Sequence, residues 1–182
     1  MPHAGGALID PNVVFEKIGL APGMRVADLG CGRTGHFVFP AAKIVGASGV
    51  VYAVEIVKDI LESIKSRCRA EGYNNVQTVW SDIESEGQTP IPAGSLSVCF
   101  MVNVLFMVQN KIGALKEATR LLQKDGLAIV VDWAKNLGPL GPKPGQMLSL
   151  EDLRLAAGQA GLAFQDTVAV GDYHYCAIFK KL

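Results

Sequence analysis

Cysteine is sparse: Cys31, Cys68, Cys99 and Cys176 are scattered along 182 residues with no C-x-x-C pair. That spacing offers neither zinc ligation nor a disulfide framework, so no metal site is expected and a reduced, cytoplasmic setting fits. Long apolar runs are lacking too. The longest, Leu96 to Val108, contains Ser97 and Asn103 and falls short of the roughly 18 residues needed by a spanning helix. The opening MPHAGGALIDPN has no basic stretch leading into an apolar one, so no secretory signal is expected. Charge of one sign is also missing, because 17 Lys and Arg balance 17 Asp and Glu. Nothing in that balance draws the chain to phosphate backbones or anionic lipid, and neither nucleic acid nor membrane is expected as a partner.

What is present is the composition of a folded domain, 49% apolar and 19% charged, at a length that suits a single unit over 1–182. Residues 1–22 are expected to form an N-terminal helix and lid segment, with the core in 23–182. Asp10 before Pro11 is an N-cap with a first-turn proline, and Val13, Val14 and Ile18 give an apolar face ending at Gly19. Arg25 to Leu29 reads as a strand broken by the glycines of 30–35, followed by a helix from about His36 to Val45. Val50 to Val54 is β-branched and apolar enough to be covered on both faces. Val57, Ile60, Leu61 and Ile64 then recur at helical spacing. Val76 to Trp80, Leu96 to Val102 and Leu127 to Asp132 are further strands, the last preceded by a helix through Ala114 to Leu122 that stops at the Asp125-Gly126 turn. Ser149 to Asp152 resembles a capping box opening a helix that ends at Gly161. Ala163 to Val170 and His174 to Phe179 are separated by too few residues for a crossover helix and must run antiparallel. The chain is therefore α/β, with an open, mostly parallel sheet carrying one reversed strand at its end.

The segment Val26-Ala27-Asp28-Leu29-Gly30-Cys31-Gly32-Arg33-Thr34-Gly35 leaves a buried strand and enters a helix, the context a nucleotide-binding glycine loop needs. Gly30 and Gly32 carry the most weight, since a side chain there would keep a ligand from the backbone and from free N–H donors. Glu55 ends the second strand about 20 residues later, where a carboxylate can accept both hydroxyls of a ribose. Asp82, in Trp80-Ser81-Asp82-Ile83, is placed to accept a hydrogen bond from an adenine amino group.

These landmarks resemble the Rossmann-like, class I S-adenosylmethionine-dependent methyltransferases. Val26 to Gly32 is similar to the family's first motif, Val51 to Glu55 to its acidic ribose-binding strand, Ser81-Asp82-Ile83 to its adenine contact, and Leu121 to Trp133 to the strand after its fourth helix. The finer likeness is to small bacterial and archaeal enzymes of the ubiquinone/menaquinone C-methyltransferase type. The resemblance implies a three-layer α/β/α sandwich with seven strands in the order 3-2-1-4-5-7-6, strand 7 antiparallel. It implies S-adenosyl-L-methionine as cofactor, S-adenosyl-L-homocysteine as product, and no metal. Asp28 and the loop backbone at Gly30, Cys31, Gly32 and Gly35 would hold the methionine moiety, Glu55 the ribose, Ile56 one adenine face, and Asp82 with the Ile83 backbone the adenine edge. Asn103 and Val104 would lie near the transferable methyl. In one respect the sequence departs from the family: Arg33-Thr34 spaces the glycines as G-x-G-x-x-G, a pattern shared with dinucleotide enzymes.

Methyl transfer from a sulfonium is an in-line displacement that demands alignment in a dry site, so a dedicated base is optional. His36 and Asp132 are the first choices for one, both at the carboxyl edge of central strands where open α/β sheets bind ligands; His174 and Tyr173 are further candidates. Val104 to Val108 and the loop from Trp133 to Met147 are expected to wall the acceptor pocket. With no inserted cap domain the acceptor should be a small, partly apolar molecule, and a homodimer contact is an alternative use of the apolar run. Two other functions remain open. One is an NAD(P)-dependent oxidoreductase, suggested by the glycine spacing but lacking any Tyr-x-x-x-Lys pair and burdened by Asp28, which would repel a pyrophosphate. The other is an adenosine-cofactor-binding module without turnover.

Overall fold

The computed structural model describes residues 9–143 and 145–182; residues 1–8 of the expected lid segment and Pro144 of the following loop region lie outside the described residues. Asp10 accepts from the Asn12 N–H and opens α1 (Pro11–Ile18), which Gly19 closes in a left-handed conformation. Then follow β1 (Arg25–Leu29), α2 (Val38–Val45), β2 (Val50–Glu55), α3 (Lys58–Glu71), β3 (Val76–Trp80), β4 (Leu96–Val102), α4 (Lys111–Leu121), β5 (Leu122–Trp133), α5 (Leu150–Gln159), β6 (Leu162–Ala169) and β7 (His174–Lys181).

The strands form one sheet in the order β3-β2-β1-β4-β5-β7-β6, with β7 antiparallel to both neighbours. This is the order that the family resemblance implies, and the reversed strand is the one that the short final connection requires. α1, α2 and α3 cover one face, where Phe15, Phe37 and Phe100 meet at ring-centroid distances of 5.5 Å. That aromatic contact seats α1 and the start of α2 against β4, and so fixes His36 beside the sheet edge. α4 and α5 cover the other face with Leu115, Leu121 and Leu153 against Met101, Val130 and Phe179. Alternate residues of β5 enter opposite clusters, Ala128 and Val130 on one side, Ile129 and Val131 on the other, which is why the strand has no polar face. Among the described residues, no helix is long and apolar enough to cross a membrane.

The sequence-based outline needs four corrections. The second helix begins at Val38 rather than His36, because the glycine loop continues in turns as far as Phe37. Val57 is the exposed N-cap of α3 and Ile60 is half-buried, leaving Leu61 and Ile64 as that helix's buried residues; the N-terminal half of its apolar stripe faces a cavity instead of the core. Asp125-Gly126 neither ends α4 nor starts β5. β5 already begins at Leu122, and Asp125, with φ 62°, lies in an irregular stretch where the register with β4 shifts between Leu96 and Val98. Ser149 does cap α5, accepting from the Asp152 N–H at 3.0 Å, but its hydroxyl also donates to the Asp152 carboxylate, so the reciprocal bond runs between side chains and not to the Ser149 N–H of the usual capping box.

Candidate active site

The glycine loop turns at the carboxyl end of β1 by crossing the end of β2: the N–H groups of Gly30 and Cys31 both donate to the Val54 carbonyl, at 2.9 and 3.0 Å. Gly30 has φ 83°, and a Cβ there would lie 2.6 Å from a methyl of Val104, so only glycine allows this approach of loop and β4. The extra residue of the G-x-G-x-x-G spacing is absorbed in a turn in which the Gly35 N–H donates to Gly32. Gly35 packs its bare Cα against Phe39 and Ile64, while Arg33 and Thr34 project to solvent. Arg67 of α3 braces this turn from outside, donating to the Thr34 carbonyl at 3.0 Å and lying 3.9 Å from the Phe39 ring centroid.

Glu55 is aimed at that turn. Its Oε2 accepts from the Gly32 N–H at 3.3 Å, and Oε1 accepts from the N–H groups of Ile56 and Val57 at 2.8 and 3.1 Å. Oε1 is thereby filled by two N–H groups, while Oε2 keeps lone-pair capacity for a ligand hydroxyl. Behind it Asp28 is buried, and burial first, then the charge of Glu55, pushes its carboxyl up to about 7. Burial, Asp28 and Glu55 together raise the Cys31 thiol far above its ordinary value, which removes it as a nucleophile.

A cavity of about 1000 Å³ opens along this edge, at the upper end of the size range of small-molecule sites. Of the residues the sequence singled out, Asp28, Gly30, Cys31, Gly32, Gly35, His36, Glu55, Ile56, Asp82, Ile83, Asn103 and Val104 all line it. Ile56 is 52% exposed, an apolar side chain left uncovered at the mouth. Asp82 accepts from the Glu84 N–H and stays exposed, while Asn103 adopts φ 53° and buries an amide oxygen with no partner among the described residues. His36 is held by a 2.8 Å bond between Nε2 and the Ile9 carbonyl; the carbonyl can only accept, so Nε2 carries the proton and Nδ1 the lone pair.

Asp132 does not join them. Its carboxylate is fully buried off the cavity wall and accepts from the Phe106 and Trp133 N–H groups at 3.0 and 2.8 Å. Burial nevertheless raises it to about 6, and its visible role is to hold the loop after β4 against β5. Nor does 133–147 wall the cavity: among its described residues none lines it, whereas Val104, Met107 and Val108 do. Leu105 is core.

Sequence reasoning missed Arg67 and Glu84. Glu84 lines the cavity and accepts from the N–H groups of Gln109 and Asn110 at 3.0 and 2.7 Å, tying the segment after β3 to the loop after β4. Both lie far in sequence from what they hold, and no local pattern marks such contacts.

A family model described as a methyltransferase domain matches residues 20–155. A ubiquinone/menaquinone biosynthesis C-methyltransferase of Hahella chejuensis is 28% identical over 164 residues, covering 90% of this chain and 62% of its own. The aklanonic acid methyltransferase of a Streptomyces species is 31% identical over 104 residues, 57% of this chain and 46% of its own. The chain thus spans about half to three-fifths of the length of these curated relatives. Among solved structures, a SAM dependent methyltransferase from Aquifex aeolicus superposes with a TM-score of 0.89 at 25% identity, covering 100% of this chain and 94% of that one.

Proposed function

The chain belongs to the methyltransferase domain family, and from that premise we propose that it transfers the methyl group of S-adenosyl-L-methionine to a small, partly apolar acceptor. The observation that carries this reading is the Glu55 carboxylate bonded to the Gly32 N–H at the mouth of a cavity with Asp28 buried behind it. The donor set fits the cofactor. Glu55 would accept the ribose hydroxyls, Ile56 would cover one adenine face, and Asp82 with the Ile83 backbone would meet the adenine edge. The unpartnered Oδ1 of Asp28 would receive the methionine ammonium, which stabilises the ionised carboxylate that burial alone disfavours. When bound, S-adenosylmethionine supplies an electrophilic methyl on a sulfonium.

The protein's own part is to align the acceptor, keep water out and take up a proton where the nucleophile carries one. Val104, Met107 and Val108 offer apolar contact for the acceptor. His36 is the group placed to remove a proton, at Nδ1, because the Ile9 carbonyl fixes the tautomer. Asp132, buried and bonded to two backbone N–H groups, is a positioning residue in this reading. The oxidoreductase alternative finds no support among the relatives, and two carboxylates beside the glycine loop would repel a pyrophosphate. A small-molecule partner is supported by the balanced charge, and a reduced, cytoplasmic setting by four unpaired cysteines.

The test is calorimetry and thermal unfolding with S-adenosylmethionine and S-adenosylhomocysteine. Ligand at 100 times its Kd should stabilise the fold by about 2.7 kcal/mol. Replacing Glu55 by Ala should weaken binding by on the order of 1 to 3 kcal/mol, since a charged acceptor is lost. No heat and no shift with either ligand would end the reading, and cofactor binding without product in a broad acceptor screen would leave the silent module.

A further inference from the structure

The sheet has two edges, and the chain treats them differently. At β6 the register with β7 shifts between Phe164 and Asp166, and the Asp166 carboxylate is paired with Lys17 at 2.7 Å. A bulge and a charge are among the means by which native edges are kept from pairing with another chain. β3, at the other end of the strand order, has neither. Val76-Gln77-Thr78-Val79-Trp80 holds no charge, proline or glycine, and its register with β2 runs unbroken over all five residues.

The ladder fixes which backbone groups are left over. The Val51 N–H donates to the Asn75 carbonyl at 2.9 Å and the Ser81 N–H to the Glu55 carbonyl at 3.2 Å, so residues 75, 77, 79 and 81 turn their peptide groups toward β2. A strand residue sends its N–H and its C=O to the same side, and the side alternates along the strand. Val76, Thr78 and Trp80 therefore present theirs at the open edge, and no further strand among the described residues takes them up. These three side chains also share a face, the one on which α3 lies. Trp80 is 56% exposed yet held in place: its Nε1 donates to the Ile56 carbonyl at 2.8 Å, and the Lys58 ammonium stands 5.0 Å from a Trp80 ring centroid. An aromatic already ordered loses little entropy on being covered.

β3 is complementary to itself. Two copies that meet antiparallel about a two-fold axis at Thr78 place Thr78 opposite the partner's Thr78 and Val76 opposite the partner's Trp80. All three outward residues of each copy then enter hydrogen-bonded pairs, with two N–H to C=O bonds in each pair. A shifted register would set one of them against a residue beyond the strand. Threonine facing threonine and a β-branched residue facing an aromatic are favourable cross-strand pairs, and no like charges meet within the ladder. A strand of other sequence would have to bring its own match, whereas a second copy brings it by symmetry.

We propose that the chain forms a two-fold homodimer in which β3 pairs with β3 of a second copy, joining the two sheets edge to edge. None of Val76, Thr78 and Trp80 lines the cavity, so the contact lies outside it and does not depend on the methyltransferase reading.

The test is sedimentation equilibrium of the full chain between roughly 5 and 500 µM, with amide hydrogen exchange followed by NMR at both ends of the range. We expect a species of twice the 19.4 kDa chain mass at the higher concentration. With it, the Val76, Thr78 and Trp80 amides should exchange at least roughly tenfold more slowly, while those of Gln77 and Val79, already in the ladder, should not follow. Thr78→Lys sets like charges opposite each other at the axis and should raise the dimer dissociation constant at least roughly tenfold. Thr78→Pro should do the same, and because the Thr78 N–H points away from β2 the proline removes no ladder bond. A wild-type chain that stays monomeric at the highest concentration overturns the inference; protection of the same amides by an added extended peptide of unrelated sequence would then mark the edge as a peptide site instead. A dimer in which the Val76, Thr78 and Trp80 amides exchange as fast as in the monomer overturns it as well. Both of these outcomes are read on the wild-type protein, so they decide the matter even if the variants do not fold.

Discussion

At the scale of single residues, the site stores its strain in Asp28. An acid whose pKa is raised on folding makes the native state hold a proton that the unfolded chain has already released, so stability falls as pH climbs from the ordinary 3.8 toward about 7 and levels off above. Asp28→Asn should therefore stabilise the ligand-free protein at pH 8 by on the order of 2 kcal/mol relative to wild type, with little difference at pH 4. The same change should weaken S-adenosylhomocysteine binding, because the amide lacks the charge that meets an ammonium. Urea titrations at the two pH values check the first expectation and calorimetry the second; a variant destabilised at pH 8 would refute the buried-acid account. That Asp28, Gly30, Gly32 and Glu55 would meet at one sheet edge was legible in the sequence because each lies in the last two residues of a strand or just past it, and the strand end fixes where the residue goes. Asp132 was placed by the same rule, but its carboxylate lies off the cavity wall. The rule gives the edge of the sheet but not the side of it, and the N–H groups of Phe106 and Trp133 claim its carboxylate.

At the scale of elements, the wall around Asp82 is tied down from α4. Glu117 is buried and accepts from the N–H groups of Gly87 and Thr89 and from Arg120. Thr89 in turn shares a 3.1 Å hydroxyl contact with Ser81, beside the proposed adenine contact. Burial opposes the Glu117 charge, but the hydrogen bonds outweigh it and draw the carboxyl down to about 2. Here the sign is the reverse of that at Asp28: stability is fully present above the ordinary 4.5 and is lost as pH falls toward 2. Glu117→Gln should cost about 2 to 4 kcal/mol at pH 7, and the gap to wild type should close as pH approaches 2, as read by denaturant unfolding. An unchanged midpoint at pH 7 would show that the network holds nothing. Little of this was visible beforehand. Helical spacing marked the stripe on which Ala114, Leu115, Ala118, Leu121 and Leu122 sit, but Gly87 and Thr89 lie 30 and 28 residues from Glu117, and only folding brings them to it.

At the scale of the whole molecule, β7 is the keystone of the far half of the sheet. It pairs with β5 over seven residues and with β6 along the other side, and it buries Cys176, Ala177 and Phe179. A chain ending at Gly171 should give no cooperative thermal transition by circular dichroism, because β6 would lose its only ladder, β5 one of its two, and the core its floor; a sharp transition would show that the first five strands fold alone. Sequence by itself determined the alternation of strand and helix, the reversed final hairpin and the glycine-to-glutamate spacing, because periodicity, turn residues and crossover length are local properties of the chain. Tertiary structure alone decided which carboxylates face the cavity and that Arg67 and Glu84 brace its loops. Those outcomes depend on strands and helices distant in sequence arriving within a few ångströms of one another, which no local pattern encodes.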